Sequence, residues 1–178
     1  MKKLAFAASV IALLAPATAQ AADWTGWYGG AELGYADVST TPNIGSGSGA
    51  IGGITGGYDF DFGTWVLGGA LDYDWASIDI GGGVKLKDVF RAKVRLGYEI
   101  NLAASSGLLY ATGGYARANI DPLGRDDGYY FGAGYEYLIP SSNWSVAGEV
   151  LQHKFKDFKS SGVDAEATTA QVRVVFRF

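Results

Sequence analysis

Cysteine is missing from this 178-residue chain, which excludes both a disulfide framework and a thiolate metal centre. Proline is scarce, four residues against 27 glycines, and aromatics are plentiful, a balance that suits curved strands better than helices. No segment keeps a helical period, and beyond the N-terminus no long apolar run occurs, so a membrane-spanning helix has nowhere to lie. Positive charge is in deficit. The 14 Lys and Arg face 18 Asp and Glu, and the net charge of −4 argues against a nucleic-acid partner. Histidine occurs once, at His153. The length is that of one domain.

What is present begins with an export signal. Lys2 and Lys3 form a basic start, residues 4–15 an apolar stretch, and Ala19-Gln20-Ala21 a small-residue cleavage pattern. The apolar stretch is too short to span a bilayer, which takes about 20 residues. Residues 1–21 are therefore expected to be a cleaved signal peptide and residues 22–178 the mature domain. Losing Lys2 and Lys3 takes the net charge from −4 to −6. Export without a membrane helix leaves two classes: a secreted soluble protein, or a β-barrel in an outer membrane.

The last twelve residues decide between them. Thr168, Ala170, Val172, Val174, Phe176 and Phe178 share one parity; Thr169, Gln171, Arg173, Val175 and Arg177 share the other. Such alternation is a strand with two unlike faces. A soluble domain ending on Phe-Arg-Phe would expose an adhesive edge, whereas a closed barrel in lipid has no edge. Seven more alternating segments precede it: residues 27–38, 50–61, 65–77, 86–100, 108–120, 128–138 and 144–155, with the last at 167–178. The spacing predicts short turns after the second, fourth and sixth. Longer polar loops are expected at residues 39–49, 78–85, 121–127 and 156–166, the asymmetry of an up-and-down transmembrane barrel. An even strand count puts both termini on the periplasmic side.

Charge parity sets the register. Arg91, Lys93, Arg95 and Glu99 lie on one face of the fourth strand, opposite Phe90, Ala92, Val94, Leu96 and Tyr98. An Arg or Lys at the lipid midplane costs about 2–4 kcal/mol, so the basic row is expected to point inward. The same logic sends Glu32, Asp72, Asp74, Glu136, Glu149, His153 and Arg173 inward. On the fifth strand, where either parity is plausible, Arg117 and Asn119 are placed inside. A lipocalin-type soluble barrel would have the opposite polarity. Trp27, Trp65, Trp75, Trp144 and Phe178, near strand ends, suit interfacial girdles. The fold expected is all-β, an eight-stranded antiparallel transmembrane β-barrel.

Several short motifs reinforce this. Trp24-Thr25-Gly26-Trp27-Tyr28-Gly29-Gly30 with Leu33-Gly34-Tyr35 resembles the opening strand of the small outer-membrane β-barrel surface proteins of Gram-negative bacteria. That family includes the transmembrane domain of outer membrane protein A and the opacity-type antigens. Leu96-Gly97-Tyr98, Thr112-Gly113-Gly114, the 132–137 segment GAGYEY, Asn143-Trp144-Ser145 and the terminal strand extend the resemblance over the mature chain. It implies assembly by periplasmic chaperones and the barrel insertion machinery, which recognises a terminal aromatic strand, here Phe176 and Phe178. The chain departs from full-length outer membrane protein A by ending at the eighth strand. No peptidoglycan-binding domain is expected.

The inward charges are the only constellation with a mechanism. An eight-stranded interior is about filled by side chains, so Glu32, Asp72, Asp74, Arg91, Lys93, Arg95, Glu136, Glu149 and Arg173 are expected to interlock as ion pairs that close the lumen. The same residues would line a narrow polar path if it stayed open. Other chemistry is thin. His153 is followed by Lys154 and Phe155, and Asp157 four residues on does not make a triad, so no catalytic residue and no enzyme is expected. The G-x-G-x-x-G match at residues 47–52 opens a strand, not a helix, and lacks the setting that binds a phosphate. Asp121, Asp126 and Asp127 suit a solvated loop better than a calcium site. The Asn143-Trp144-Ser145 sequon falls in a periplasmic turn and is discounted. No cofactor or metal is expected. Lys85, Lys87, Arg125, Lys154, Lys156 and Lys159 are candidates for contacts with lipopolysaccharide phosphates at the outer rim. The leading function is a structural barrel that supports the envelope and displays loops. The alternatives are a narrow porin and a surface adhesin or antigen.

Overall fold

The computed structural model describes residues 23–41, 46–81, 83–102, 105–122, 124–155 and 164–178. The expected signal peptide, Lys156, Asp157 and Lys159 lie outside the described residues. Eight strands follow in order: β1 (Gly26–Thr41), β2 (Ser46–Asp61), β3 (Trp65–Gly81), β4 (Val84–Leu102), β5 (Ser105–Asp121), β6 (Gly124–Leu138), β7 (Trp144–Phe155) and β8 (Asp164–Arg177). Each pairs antiparallel with the next, and β8 returns to β1, Arg173 opposite Glu32, so the sheet closes on itself. Closure satisfies every edge, the condition for a sheet to stand in a low-dielectric medium.

The polarity is that of an inside-out protein. Leu33 is 74% exposed and Phe178 79%, while Arg173 and Glu136 are fully buried. Aromatic residues gather at two heights on the outer wall. Edge-to-face pairs Trp27–Tyr58, Trp65–Tyr98 and Trp144–Phe176, with ring centroids 5.0–5.1 Å apart, ring the end that carries Trp24 and Phe178. Tyr73–Trp75 marks the far end. These are the girdles where amphipathic rings settle at a membrane surface.

The far end differs from the sequence expectation. Loops were expected at residues 78–85 and 121–127; instead β3 and β4 run on to Gly81 and Val84, and β5 and β6 to Asp121 and Gly124. Gly81 and Gly83 carry positive φ (100° and 81°), which lets the β3–β4 hairpin reverse tightly. The polar segments are strand extensions, because alternating polar residues also make good ladder where both faces are not in lipid. Lys85, Lys87, Arg125 and Lys154 consequently sit on strands, not in loops.

Two register details also depart from the expectation. Arg117 and Asn119 point outward: Arg117 Nε donates to Asp127 Oδ1 at 2.6 Å across β5 and β6, and Asn119 Nδ2 donates to Asp88 Oδ2 at 2.8 Å. The inward face of β5 is Leu108, Tyr110, Thr112, Ala116, Ala118 and Ile120. Outward charge is tolerated there because each group has a cross-strand partner and lies toward the far end, beyond the apolar band. A bulge in β4 between Leu86 and Asp88 switches parity, so Lys87 and Asp88 both face outward while Leu86 and Val89 face in.

The far half of the lumen is apolar, packed by Val38, Ile51, Ile80, Leu86, Ile120, Phe155 and their neighbours. The charged residues fill the other half. Val94, at mid-strand on the outer wall and 59% exposed, tests the register. Val94→Arg should lower the unfolding free energy in lipid vesicles by about 2–4 kcal/mol. A variant with wild-type urea stability would place Val94 inside.

Candidate functional site: the charged lumen

The inward parity of β4 carries Arg91, Lys93 and Arg95 as a ladder up the axis, and each base meets acids from strands across the barrel. Arg95 Nε donates to Asp59 Oδ1 at 2.9 Å, and Arg95 Nη1 contacts Glu136 Oε2 at 2.6 Å. Its guanidinium lies over the rings of Tyr28 (5.1 Å) and Tyr110 (5.3 Å). Arg177 duplicates the clamp from β8, 2.9 Å from Asp59 Oδ2 and 2.8 Å from Glu136 Oε1, and stacks on Trp24 at 4.7 Å. Ser145 Oγ donates to the same Glu136 oxygen at 2.6 Å. Arg173 Nη2 donates to the Tyr110 hydroxyl at 3.1 Å and lies 3.7 Å from Glu136, and Arg173 Nε lies 3.8 Å from Glu149.

A second tier sits nearer the apolar half. Arg91 lies 2.9 Å from Glu32, 2.5 Å from Asp74 and 3.3 Å from Asp72. Lys93 Nζ is 2.9 Å from Asp72 and 2.8 Å from Glu149. Neutral groups complete the tier: Thr55 Oγ1 donates to Asp72 at 2.6 Å, and Gln171 Nε2 donates to Glu32 at 3.0 Å. Glycines make the room. A Cβ on Gly53 would lie 2.2 Å from Asp74 Oδ1, and one on Gly68 2.0 Å from Asp59 Oδ1. Trp24 then stops the terminal end, its N–H bonded to Asp61 Oδ2 at 3.0 Å and its carbonyl accepting from Arg177.

All nine residues expected to interlock as ion pairs meet in this network, while His153, also expected inside, stands apart from it. Further members are Asp59, Arg177, Gln171, Thr55, Ser145 and Tyr110. Asp59 alternates with Tyr58 and Phe60, and Arg177 shares the parity of Arg173, so the signal was present for both. Gln171 and Thr55 carry no charge to give them away. His153 is buried between Tyr130 (ring centroids 5.3 Å) and Phe155 (6.5 Å) and pairs with no serine or acid among the described residues. Residues 47–52 lie within β2, and Asp121 and Asp127 are held by Lys87 and Arg117. Asn143 Nδ2 donates to the Arg177 carbonyl at 3.0 Å, pinning the turn before β7 to the C-terminal strand.

A closed antiparallel barrel with apolar walls, aromatic girdles and a charged interior matches one family model, the outer membrane protein beta-barrel domain, over residues 5–178. The chain belongs to the outer membrane β-barrel family. Its setting is therefore the Gram-negative outer membrane, and its general role that of an outer-membrane barrel. Among solved structures, Neisserial surface protein A (NspA) aligns with a TM-score of 0.59 at 15% identity, covering 86% of this chain and 98% of that one. Ail, the attachment invasion locus protein of Yersinia pestis, aligns with a TM-score of 0.44 at 16% identity, covering 85% and 99%. Among curated proteins none matches at a significant level.

Deleting one partner of a buried ion pair leaves a charge without solvent or counter-ion, at a cost of about 3–5 kcal/mol. Arg95→Ala leaves Asp59 with Arg177 alone and Glu136 with Arg177 and the more distant Arg173. The expected outcome is an unfolding free energy lower by about that amount in urea titrations of the refolded barrel. A loss below about 1 kcal/mol would mean the site is hydrated.

Proposed function

We propose that this protein is a structural element of the outer membrane: a rigid, closed barrel that stabilises the envelope and presents the far rim to the exterior. The supporting observation is the lumen itself, where Arg91, Lys93, Arg95, Arg173 and Arg177 are each held by carboxylates from other strands, below an apolar far half and above Trp24. Such a packed interior offers ions no continuous water path. The end that carries both termini and Trp24 then faces the periplasm. Phe176 and Phe178, paired edge to face at 5.3 Å on the lipid side, supply the terminal signature taken up by periplasmic chaperones and the barrel insertion machinery. The narrow-porin alternative makes the opposite electrical prediction. In planar bilayers the folded protein, verified by its heat-dependent gel shift, should be silent. Steady openings that change when Arg95 or Asp72 is neutralised would replace the structural reading by the porin.

The partner at the far rim is lipopolysaccharide. Lys87 is already paired with Asp121 (2.8 Å) and Lys154 with Glu166 (3.1 Å). Lys85 and Arg125 stand exposed with no ion pair to another described residue, and they are the bases available to lipid phosphates. The double variant Lys85→Ala, Arg125→Ala should copurify with less lipopolysaccharide, the Lys87→Ala variant with an unchanged amount. An unchanged yield in both would remove the lipid contact from this rim.

A further inference from the structure

The upper tier of the lumen holds unequal numbers of acids and bases. Toward the terminal end, Arg95, Arg173 and Arg177 face Asp59, Glu136 and Glu149. In the upper tier, Arg91 and Lys93 face Glu32, Asp72 and Asp74, and Lys93 is shared with Glu149 as well. The upper tier thus carries one carboxylate more than it has bases. All five of its charged side chains are at most 1% exposed, so solvent does not make up the difference. A buried carboxylate without a counter-charge takes up a proton or a cation instead of remaining ionised.

The geometry shows where the extra charge is reached. Asp74 is held by Arg91 Nη2 at 2.5 Å, its one counter-charge. Asp74 lines a cavity of about 30 Å3 between the charged tier and the apolar far half, together with Arg91, His153, Thr169, Val38 and Phe155. That volume admits about two water molecules, given roughly 10–15 Å3 for one. His153 faces the same cavity while 3% exposed, and neither ring nitrogen has a side-chain hydrogen-bond partner; its polar neighbour is the backbone of Ala167 across the strand pair. His153 on β7 is therefore buried at this space without a side-chain partner, beside Asp74 on β3, whose one counter-charge, Arg91, is shared with Glu32 and Asp72.

We propose that the upper tier of the lumen binds one monovalent positive charge, a proton or an alkali cation, on the cluster of Glu32, Asp72 and Asp74, reached through the cavity that Asp74 and His153 line. The groups facing this site are Glu32 from β1, Asp72 from β3, Arg91 and Lys93 from β4, Tyr130 from β6, and Glu149 and His153 from β7. From β8 come Glu166, which lines the cavity and is paired with Lys154, and Arg173, opposite Glu32 and 3.8 Å from Glu149, while Thr55 from β2, Thr112 from β5 and Gln171 from β8 are neutral. Arg91 and Lys93 disfavour a second cation on the imidazole, so the carboxylates are the acceptors. Binding makes the tier electrically neutral without opening the lumen.

Infrared absorption of the full refolded chain in lipid at neutral pH tests this, in sodium buffer and in a tetraethylammonium buffer whose cation is too large for the cavity. A protonated carboxyl has a carbonyl stretch distinct from that of a carboxylate, and it shifts in deuterium oxide. One such group per barrel in both buffers identifies a proton. A band that emerges only when sodium is withdrawn identifies an alkali cation. No band in either buffer overturns the proposal. Asp74→Asn, checked for folding by its heat-dependent gel shift, should abolish the band, and Glu32→Gln serves the same purpose if that variant does not fold. A band of full strength in a folded variant overturns the assignment. So does a charged His153 ring in nitrogen-15 NMR of the wild type.

Discussion

Arg95 is the interaction on which the rest of the barrel leans. From β4 it reaches Asp59 on β2 and Glu136 on β6, and it lies over Tyr28 from β1 and Tyr110 from β5. One side chain thereby ties five strands across the axis. Its position follows from a constraint imposed from outside. With hydrocarbon around the wall, charge has to turn inward, and the interior of eight strands is too narrow to hydrate it. Each inward charge must then find a counter-charge with good geometry, and that requirement fixes which strands can stand opposite one another. Such pairs are costly to break singly, so their worth lies in specifying one arrangement as much as in net stabilisation.

The same constraint explains why the interior is layered. Where the wall crosses the apolar band, outward positions must be apolar and the inward ones are left to carry charge. Beyond the band, toward the far end, outward positions can be polar again, as Lys87, Arg117, Lys154 and Glu166 are, and the inward positions become an ordinary hydrophobic core of Val38, Ile51, Ile80 and Leu86. The barrel is inside-out for half its height and right-side-out for the other half. The boundary between these regimes is where Asp74 and His153 meet, buried among apolar side chains on one face and ion pairs on the other.

Much of this was legible in the residue pattern. Alternation in β4 and β8 shows the charged parity directly, and the nine residues named for the ion-pair network from these and four other strands all reach it. Arg117 departs from the pattern because charge marks the inside only where the wall crosses lipid, a rule that lapses above the lipid band; its partner Asp127 on β6 is visible only in the register. The bulge at Leu86–Asp88 could not be seen either, because two successive polar residues read as a strand end as readily as a parity switch. Loop lengths were overestimated for the same reason: polar residues at 78–85 and 121–127 resemble loop until a neighbouring strand supplies their hydrogen bonds.

The sequence by itself determined the class of the protein, the number of strands, and which face of most of them meets lipid, since a period of two and the cost of charge in hydrocarbon are local and leave little freedom. Which acid meets which base was decided only by the tertiary structure. Asp59, Arg95, Glu136 and Arg177 come from four strands, with separations from 36 to 118 residues between members that touch. Their meeting depends on strand stagger and closure, properties of the whole ring. The surplus carboxylate of the upper tier belongs to that second kind of fact, because a charge count over the chain says nothing about which charges are shut in together.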